Sequence, residues 1–329
     1  MNAYFPDRKT VHTVLSLAIR APSIHNSQPW RWRVGIESLH LYADPQRHLA
    51  NTDPDGRDLL LSCGASLHHA VVALAALGWQ SIVHRLPNPA DPEHLAAIEV
   101  RPNPASALDV TLAAAIPRRR TDRRLYNAWS VPDADIALMG ARAARAGVSV
   151  RQVASLPKLE QIVAQAVREH AADHEYLSEL SQWSGRYASV AGVPARNTPA
   201  PDLAAPIPGR LFAAPALAQP ADVASEDDAA VVLALGTNDD SPLARLRAGE
   251  ATSLVLLSAT SFGLASCPVT EPLEIVETRE AVRTEVFGDS AVPQMLLRIG
   301  WAPVNADPLP STPRRPFADV AQWLDASPT

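Results

Sequence analysis

Two long stretches without a polar face limit what this chain can build. Residues 58–77 (DLLLSCGASLHHAVVALAAL) and 249–264 (GEATSLVLLSATSFGL) are apolar nearly all round at helical pitch. A helix of that kind has no side to give to water and is buried inside a large body. The two also align. GASLHHAVVALAALGW at 64–79 lies on GEATSLVLLSATSFGL at 249–264, each opening on Gly and closing on Gly plus a large apolar residue, with both Gly pairs fourteen residues apart. A strand-like segment follows in each case. Any two Ala/Leu-rich helices align in part, but the glycine register and the similar sequel favour a duplicated unit. Two similar α+β halves would then pack as a homodimer does, with the buried helices at the joint.

The rest of the chain can supply such halves. Its 329 residues suit two domains or two halves of one, and 47% hydrophobic against 19% charged residues allows a large core. Val11, Val14, Leu15 and Ala18 sit at helical spacing within 8–20, and Pro22 ends that helix. Trp30–Val34 alternates as a strand, with Leu39–Tyr42 as its hairpin partner. Further strands are expected at 98–100, 229–235 and 294–299, and further helices at 133–146 and 156–184, the last long and amphipathic. Between them, residues 190–220 carry seven prolines and little periodicity. Loops of that length in a compact protein are functional or disordered.

Several function classes recede. A net charge of −6 argues against a nucleic-acid binder. Cys63 and Cys267 stand far apart and in no CxxC pair, so neither a zinc site nor a disulfide framework is indicated, and a reducing compartment is the default. The start, MNAYFPDRKT, has no apolar segment of the signal-peptide kind, and polar residues interrupt the most apolar stretches; a cytoplasmic protein without a membrane span is expected. His68 and His69 are neighbours on a helix and diverge by about a hundred degrees, so they cannot share one metal. Nucleotide P-loop, dinucleotide GxGxxG, GxSxG and HExxH patterns are missing.

Three segments carry chemistry. APSIHNSQPW at 21–30 sets Ser23, His25, Asn26, Ser27 and Gln28 between Pro22 and Pro29, a stiff polar loop directly after the first helix. Arg118-Arg119-Arg120-Thr121-Asp122-Arg123-Arg124 and Thr312-Pro313-Arg314-Arg315-Pro316 stand out against the acidic background. Most charge runs are simply solvated. Paired arginines beside a hydroxyl also make a phosphate clamp, because the guanidinium fork meets phosphate oxygens two at a time. The flanking prolines reduce the entropy lost on ordering such side chains and favour a fixed anion site.

Together these segments resemble the FMN-dependent nitroreductase family. APSIHNSQPWRW is similar to its APSxxNxQPWxF motif, RRTDRR to its Arg-Arg-Ser-x-Arg phosphate motif, GLASCPVTEPLE to its Gly-Leu-x-x-x-Pro-Ile-Glu segment, and TPRRP to its last basic clamp. The likeness spans about 8–180 and 225–320. In the family the arginine motif precedes the APS loop within one domain; here the order is inverted. That arrangement looks like the Acg-like branch, single chains in which each half keeps one part of the site.

The resemblance implies an α+β fold of two nitroreductase-like halves, each a mainly antiparallel sheet flanked by helices, packed as an internal pseudo-dimer. It implies halves at 1–110 and 111–329, with 190–220 as a lid-like insertion. It implies one FMN per chain, with Pro22, Ser23, Ile24 and Asn26 along the flavin from the first half. From the second half, Arg119, Arg120, Arg314 and Arg315 would clamp the phosphate, and Thr121 would keep the hydroxyl of the family's usual Ser. Arg123 would sit near the pyrimidine edge, with Pro268, Val269 and Thr270 lining the ring. Thr270 stands where the family often has Glu, and Glu271 follows. No metal is implied, and no protein acid or base is required, since the flavin carries the chemistry. The implied activity passes hydride from NAD(P)H through FMN to a nitroaromatic or quinone, in a monomer or homodimer. Two other readings stay open: a lid-covered protein that stores or sequesters FMN, and a cofactor-free interaction protein.

Overall fold

This computed structural model describes residues 5–185, 189–201, 205, 207, 209–219 and 223–324. Part of the expected lid (202–204, 206, 208 and 220) lies outside the described residues.

The first half forms as its patterns dictate. Helix α1 (Arg8–Ala18) starts at Asp7, whose carboxylate accepts from the Thr10 amide, and it buries Val11, Val14, Leu15 and Ala18. Strands β1 (Trp30–Val34) and β2 (Ser38–Ala43) pair antiparallel and send alternate residues inward. Helix α2 (Arg57–Ala76) follows, then β3 (Trp79–Arg85) and β4 (His94–Pro102), which pair with each other, while β4 also pairs with β2. Helix α3 (Ala107–Ala115) leads out through a Ser106/Asp109 capping box.

The second half repeats this order. Helix α4 (Asp133–Ala144) leads to β5 (Ser149–Gln152). An excursion then inserts α5 (Leu156–Ala172), α6 (His174–Gln182) and the Pro-rich stretch. Next come β6 (Val231–Thr237), α7 (Pro242–Ser261), β7 (Ala265–Val269), α8 (Glu271–Glu274), α9 (Val276–Val282) and β8 (Val292–Gly300). Finally α10 (Phe317–Val320) and β9 (Ala321–Trp323) return to the first half. The sheet orders are β3-β4-β2-β1-β9 and β5-β6-β8-β7, so β3, β4, β2 and β1 correspond to β7, β8, β6 and β5. The fold is thus α+β with two similar, mainly antiparallel halves. Only β9, parallel to β1, breaks the strand correspondence: the second half gives its last strand to the first half's sheet.

Two expectations need correcting. The helix expected over 156–184 is two, because Asp173 leaves helical backbone (φ −94°, ψ 108°) and its carboxylate accepts from the Glu175 and Tyr176 amides, capping α6. The helix expected from 249 starts a turn and more earlier, where Ser241 caps it and Pro242 occupies the first turn.

The joint is where the repeat was read. A Cβ on Gly64 would collide with the Leu246 carbonyl and lie 3.0 Å from the Gly249 Cα; a Cβ on Gly249 would collide with the Leu61 carbonyl. Leu61 and Gly64 stand 185 residues before Leu246 and Gly249, so the contact is reciprocal about a local two-fold axis. Gly78 and Gly263, related by the same offset, end the two helices with φ +86° each. His68 and Ser253, also one offset apart, hydrogen-bond across the axis at 2.8 Å. By length and composition α2 is apolar enough to cross a membrane, but two-thirds of that span is buried between the halves.

Candidate functional site

The α1–β1 loop is strained and strapped. His25, Asn26 and Gln28 all have positive φ (43°, 54° and 54°), a region that non-glycine residues occupy at a cost and that recurs at functional sites. Its polar side chains hold it there. The Ser23 hydroxyl accepts from the Gln28 amide at 3.0 Å, and the Ile24 amide donates to Ser62 Oγ on α2 at 3.0 Å. Asn26 Nδ2 donates to the Gly192 and Pro313 carbonyls, while its Oδ1 accepts from Arg314 at 3.0 Å. Gln28 Oε1 accepts from the Arg315 amide at 2.8 Å, and its Nε2 donates to the Val190 carbonyl. The loop is therefore a clasp joining the first half to the tail and to the Pro-rich stretch.

Beside the clasp lies a cavity with about 1300 Å³ of space, its mouth included. The first half contributes Pro22, Ser23, Ile24 and His25 from the loop and Asp58, Ser62 and Ala65 from α2. From the second half come Thr121, Arg123 and the β7–α8 corner, Cys267 to Glu271. The Pro-rich stretch roofs it with Pro199, Ile207, Arg210 and Phe212 among others. Of the residues expected to line a ligand, Pro22, Ser23, Ile24, Thr121, Arg123, Pro268, Val269 and Thr270 meet at this cavity. Asn26 does not; its amide is consumed by the clasp.

The arginine run separates by role. Arg124 pairs with Asp122 at 2.9 Å, both buried, and Arg118 turns back to the Ala114 carbonyl at the end of α3. Arg123 lines the cavity, donates to the Asn197 carbonyl at 3.2 Å and stands 4.9 Å over the Phe212 ring. Arg119 and Arg120 join Arg314 and Arg20, at the end of α1, in a cluster. Burial and then the neighbouring arginines depress Arg119 to about 10 and Arg314 to about 9. Among the described residues none of the four has an ion-pair partner, and the Nε of each is buried without a hydrogen bond. Like charges gathered this way are costly unless an anion joins them. None of the four lines the cavity itself; Arg119 reaches the lining residue Thr121 at 3.5 Å, and Arg314 donates to the Ala21 carbonyl beside Pro22, so the cluster adjoins the lining.

Arg315 corrects an expectation. It pairs with Asp44 at 3.2 Å and donates to the Gln28, Trp30 and Asp319 carbonyls, so its guanidinium is spent on holding α10, the start of β1 and the loop together. Arg20 takes its place in the cluster. Sequence reading also missed Arg210. Its guanidinium donates to His25 Nε2 at 2.9 Å, Tyr176 Oη at 2.7 Å, Thr270 Oγ1 at 3.0 Å and Glu274, fastening the roof to three elements. His170 stacks on Tyr176 at 3.9 Å and meets Glu271 at 3.3 Å.

These features suit a mononucleotide: an arginine cluster beside the lining for a dianionic phosphate, hydroxyls at Ser23 and Thr121, and apolar lining from Pro22, Ile24, Pro268 and Val269. No groups of three or more metal-ligating side chains occur among the described residues.

No protein-family model matches the chain. A curated Mycobacterium tuberculosis H37Rv protein named "Putative NAD(P)H nitroreductase Rv3131" is 65% identical over 323 residues, covering 98% of this chain and 94% of that one. "Putative NAD(P)H nitroreductase acg" from the same organism is 38% identical over 318 residues, 94% of each chain. Among solved structures, a nitroreductase with bound FMN from Desulfitobacterium hafniense DCB-2 covers 65% of this chain and 98% of its own, at 14% identity and a TM-score of 0.41.

Proposed function

The chain belongs to the NAD(P)H nitroreductase family, in its Acg-like branch, and from that premise we propose that it holds one FMN per chain in the roofed cavity and passes electrons from NAD(P)H to a nitroaromatic or quinone. The observation that carries this reading is the cluster of Arg20, Arg119, Arg120 and Arg314, four guanidiniums without an ion-pair partner among the described residues, next to Thr121 and Pro22 of the cavity lining.

In this reading those four side chains bind the phosphate. Ser23 and Thr121 orient the ribityl chain by hydrogen bonds, and Pro22, Ile24, Pro268 and Val269 confine the ring. Arg123 presents positive charge to the ring's polar edge, which favours an anionic reduced form. The bound flavin would supply two-electron chemistry; the chain's task is to position it and to exclude water. The connections support a single site per chain. The link between α4 and β5 holds four residues (145–148), against eleven (19–29) between α1 and β1, too short for a second clasp of this kind.

Quantifying the flavin released from purified protein tests the reading. One FMN per chain is expected, together with loss of at least most of it in Arg119→Ala/Arg314→Ala. Colourless protein that takes up no FMN on incubation would refute it. Arg210 favours a second reading, in which the closed roof keeps FMN from nicotinamide and the protein stores it. Bleaching of the bound flavin by NAD(P)H separates the two.

A further inference from the structure

Two residues that line the cavity, His25 and Asp58, each carry a buried polar atom without a partner among the described residues. Arg210 donates to His25 Nε2 at 2.9 Å. A guanidinium only donates, so Nε2 accepts and the ring proton sits on Nδ1. Burial, then Arg210, Arg123 and His170, hold His25 well below the ordinary histidine range, so the ring is neutral. Its Nδ1–H is buried and has no acceptor among the described residues, although His25 lines the cavity.

Asp58 stands nearby on the first turn of α2. The Ile24 amide bonds to Ser62 Oγ, and that hydroxyl donates to the Asp58 carbonyl at 2.6 Å, placing Asp58 one helical turn from the loop that carries His25. Asp58 Oδ2 accepts from Arg57 at 3.1 Å. Its Oδ1 is 3.0 Å from the same nitrogen but outside hydrogen-bonding geometry, and it has no other partner among the described residues.

The surroundings are over-supplied with acid. Arg57 on α2 and Arg210 from the roof face Asp58 together with Asp53 before the helix and Glu274 on α8, and Glu271 stands beside Glu274. Three carboxyls, Asp53, Asp58 and Glu274, thus face two guanidiniums, with His48 3.9 Å from Asp53 and His170 3.8 Å from Glu274 at the edges. Asp53 takes two α2 amides, from Asp58 at 2.9 Å and Leu59 at 2.8 Å, and Glu274 takes Arg210 and Thr270. Asp58 and Glu274 each keep an oxygen without a hydrogen bond, and of the two it is Asp58 that lines the cavity. Desolvation, the largest cause, raises it to about 7, against the pull of Arg57.

We propose that His25 Nδ1–H and the Asp58 carboxyl form the acceptor subsite, taking the oxygen of a planar quinone or nitro compound, and that Asp58 is its proton donor. The proposal rests on the reading of the cavity as a flavin site. A quinone becomes a hydroquinone by gaining two electrons and two protons. The electrons and one proton come from the reduced cofactor. The second proton leaves Asp58 as its O–H breaks and the product O–H forms, and the carboxylate left behind is reprotonated from water. His25 does not titrate in this step; it holds the oxygen on which negative charge develops.

The test uses FMN-loaded protein, reduced with dithionite, freed of excess reductant without oxygen, and mixed with duroquinone in a stopped-flow instrument. Wild type should reoxidise at a rate that falls about tenfold per pH unit above about 7. Asp58→Asn should be slower by about a hundredfold at acid pH and independent of pH. His25→Ala should weaken duroquinone binding to the oxidised protein, read from the flavin spectrum, by about tenfold. Without any turnover, infrared spectra should show a buried carboxylic-acid carbonyl that disappears as pH rises through about 7 and is missing in Asp58→Asn. Asp58→Ser serves if the Asn variant does not fold. A wild-type rate and pH profile in both Asp58 variants, or no such infrared band in wild type, overturns the assignment. Failure to take up FMN overturns the cofactor reading instead, so the two failures are distinct.

Discussion

Replacing Gly64 by Ala should damage both folding and the cavity, although Ala is the better helix former. In an open helix the change is worth about 0.8–1 kcal/mol in favour of Ala. Here the added methyl meets the Leu246 carbonyl and the Gly249 Cα, which are backbone and cannot swing aside. The helices must separate by ~1 Å, the scale on which close-packed interiors register every methylene. Overpacking costs about 1–3 kcal/mol, and each ~80 Å³ of void opened along the seam adds ~2 kcal/mol at about 24 cal/mol per Å³. A net loss of about 3 kcal/mol is expected after the propensity gain. Gly249→Ala should cost about the same, since its methyl meets the Leu61 carbonyl from the other side. Gly140→Ala is the control: on α4 its methyl would rest 3.8 Å from Val150 Cβ, and the propensity gain should survive. Urea unfolding of the three variants, with intrinsic fluorescence, reads the differences. FMN uptake should fall in the first two, because Leu61, Ser62, Ala65 and Thr252 on the crossing helices line the cavity. A Gly64→Ala midpoint at or above wild type would refute the reciprocal crossing, as would a large cost at only one of the two glycines.

Arg314→Ala should weaken FMN by about 1.5–3 kcal/mol, one charge-assisted hydrogen bond, measured by equilibrium dialysis. Arg315→Ala should instead lower stability by about 1–3 kcal/mol, because it leaves the buried Asp44 carboxylate with only the more distant Arg47 at 4.0 Å, and folded variant should still take up one FMN. Inorganic phosphate should raise the melting temperature of flavin-free protein, with the gain lost in Arg119→Ala, since it supplies the missing counter-charge. Asp58 predicts a pH effect on stability. Its folded-state pKa of about 7 exceeds the unfolded value of 3.8, so its contribution is fully present below about 4 and is lost as pH rises through about 7. The loss is on the order of 4 kcal/mol, and Asp58→Asn should flatten that part of the stability–pH curve in flavin-free protein.

What was legible in the sequence is what close approach or periodicity enforces. Gly64 and Gly249 could be matched because backbones that touch accept only glycine, and that leaves a mark at fixed spacing. Most strands and helices of each half were readable from alternation and pitch, whereas α3, β5, α9 and β9 were not. The arginine run announced an anion site but not its membership. Asn26 and Arg315 look as able to hold a cofactor as Ser23 and Arg314 do. Their partners are the tail and the α1–β1 loop, segments separated by most of the chain, and no local pattern records that pairing. Arg20 and Arg210 lie in unremarkable sequence for the same reason. Asp173 was different: Asp-His-Glu-Tyr is a helix-start signal, masked because the flanking apolar residues keep helical spacing across the break.

The asymmetry of the two halves has a physical lock. The 185-residue offset carries Ala65, which lines the cavity from α2, onto Glu250 of α7, and it carries Arg85 at the end of β3 onto Thr270. Where the cavity has a small helix residue opposite a strand-end hydroxyl, its counterpart has Arg85 donating to both carboxylate oxygens of Glu250 at 2.7 and 2.8 Å. Glu250 is buried and Arg85 half-exposed, so the pair fills the hollow and caps it from solvent. Reopening that hollow by one substitution strands a charge: Arg85→Ala leaves a buried carboxylate whose ionisation burial already opposes. Only a paired change restores an apolar wall, and even then the short α4–β5 link supplies no clasp. Two halves built on one plan thus differ at Ala65 against Glu250 and Thr270 against Arg85, while the glycines at their crossing, which both halves require, keep the same register.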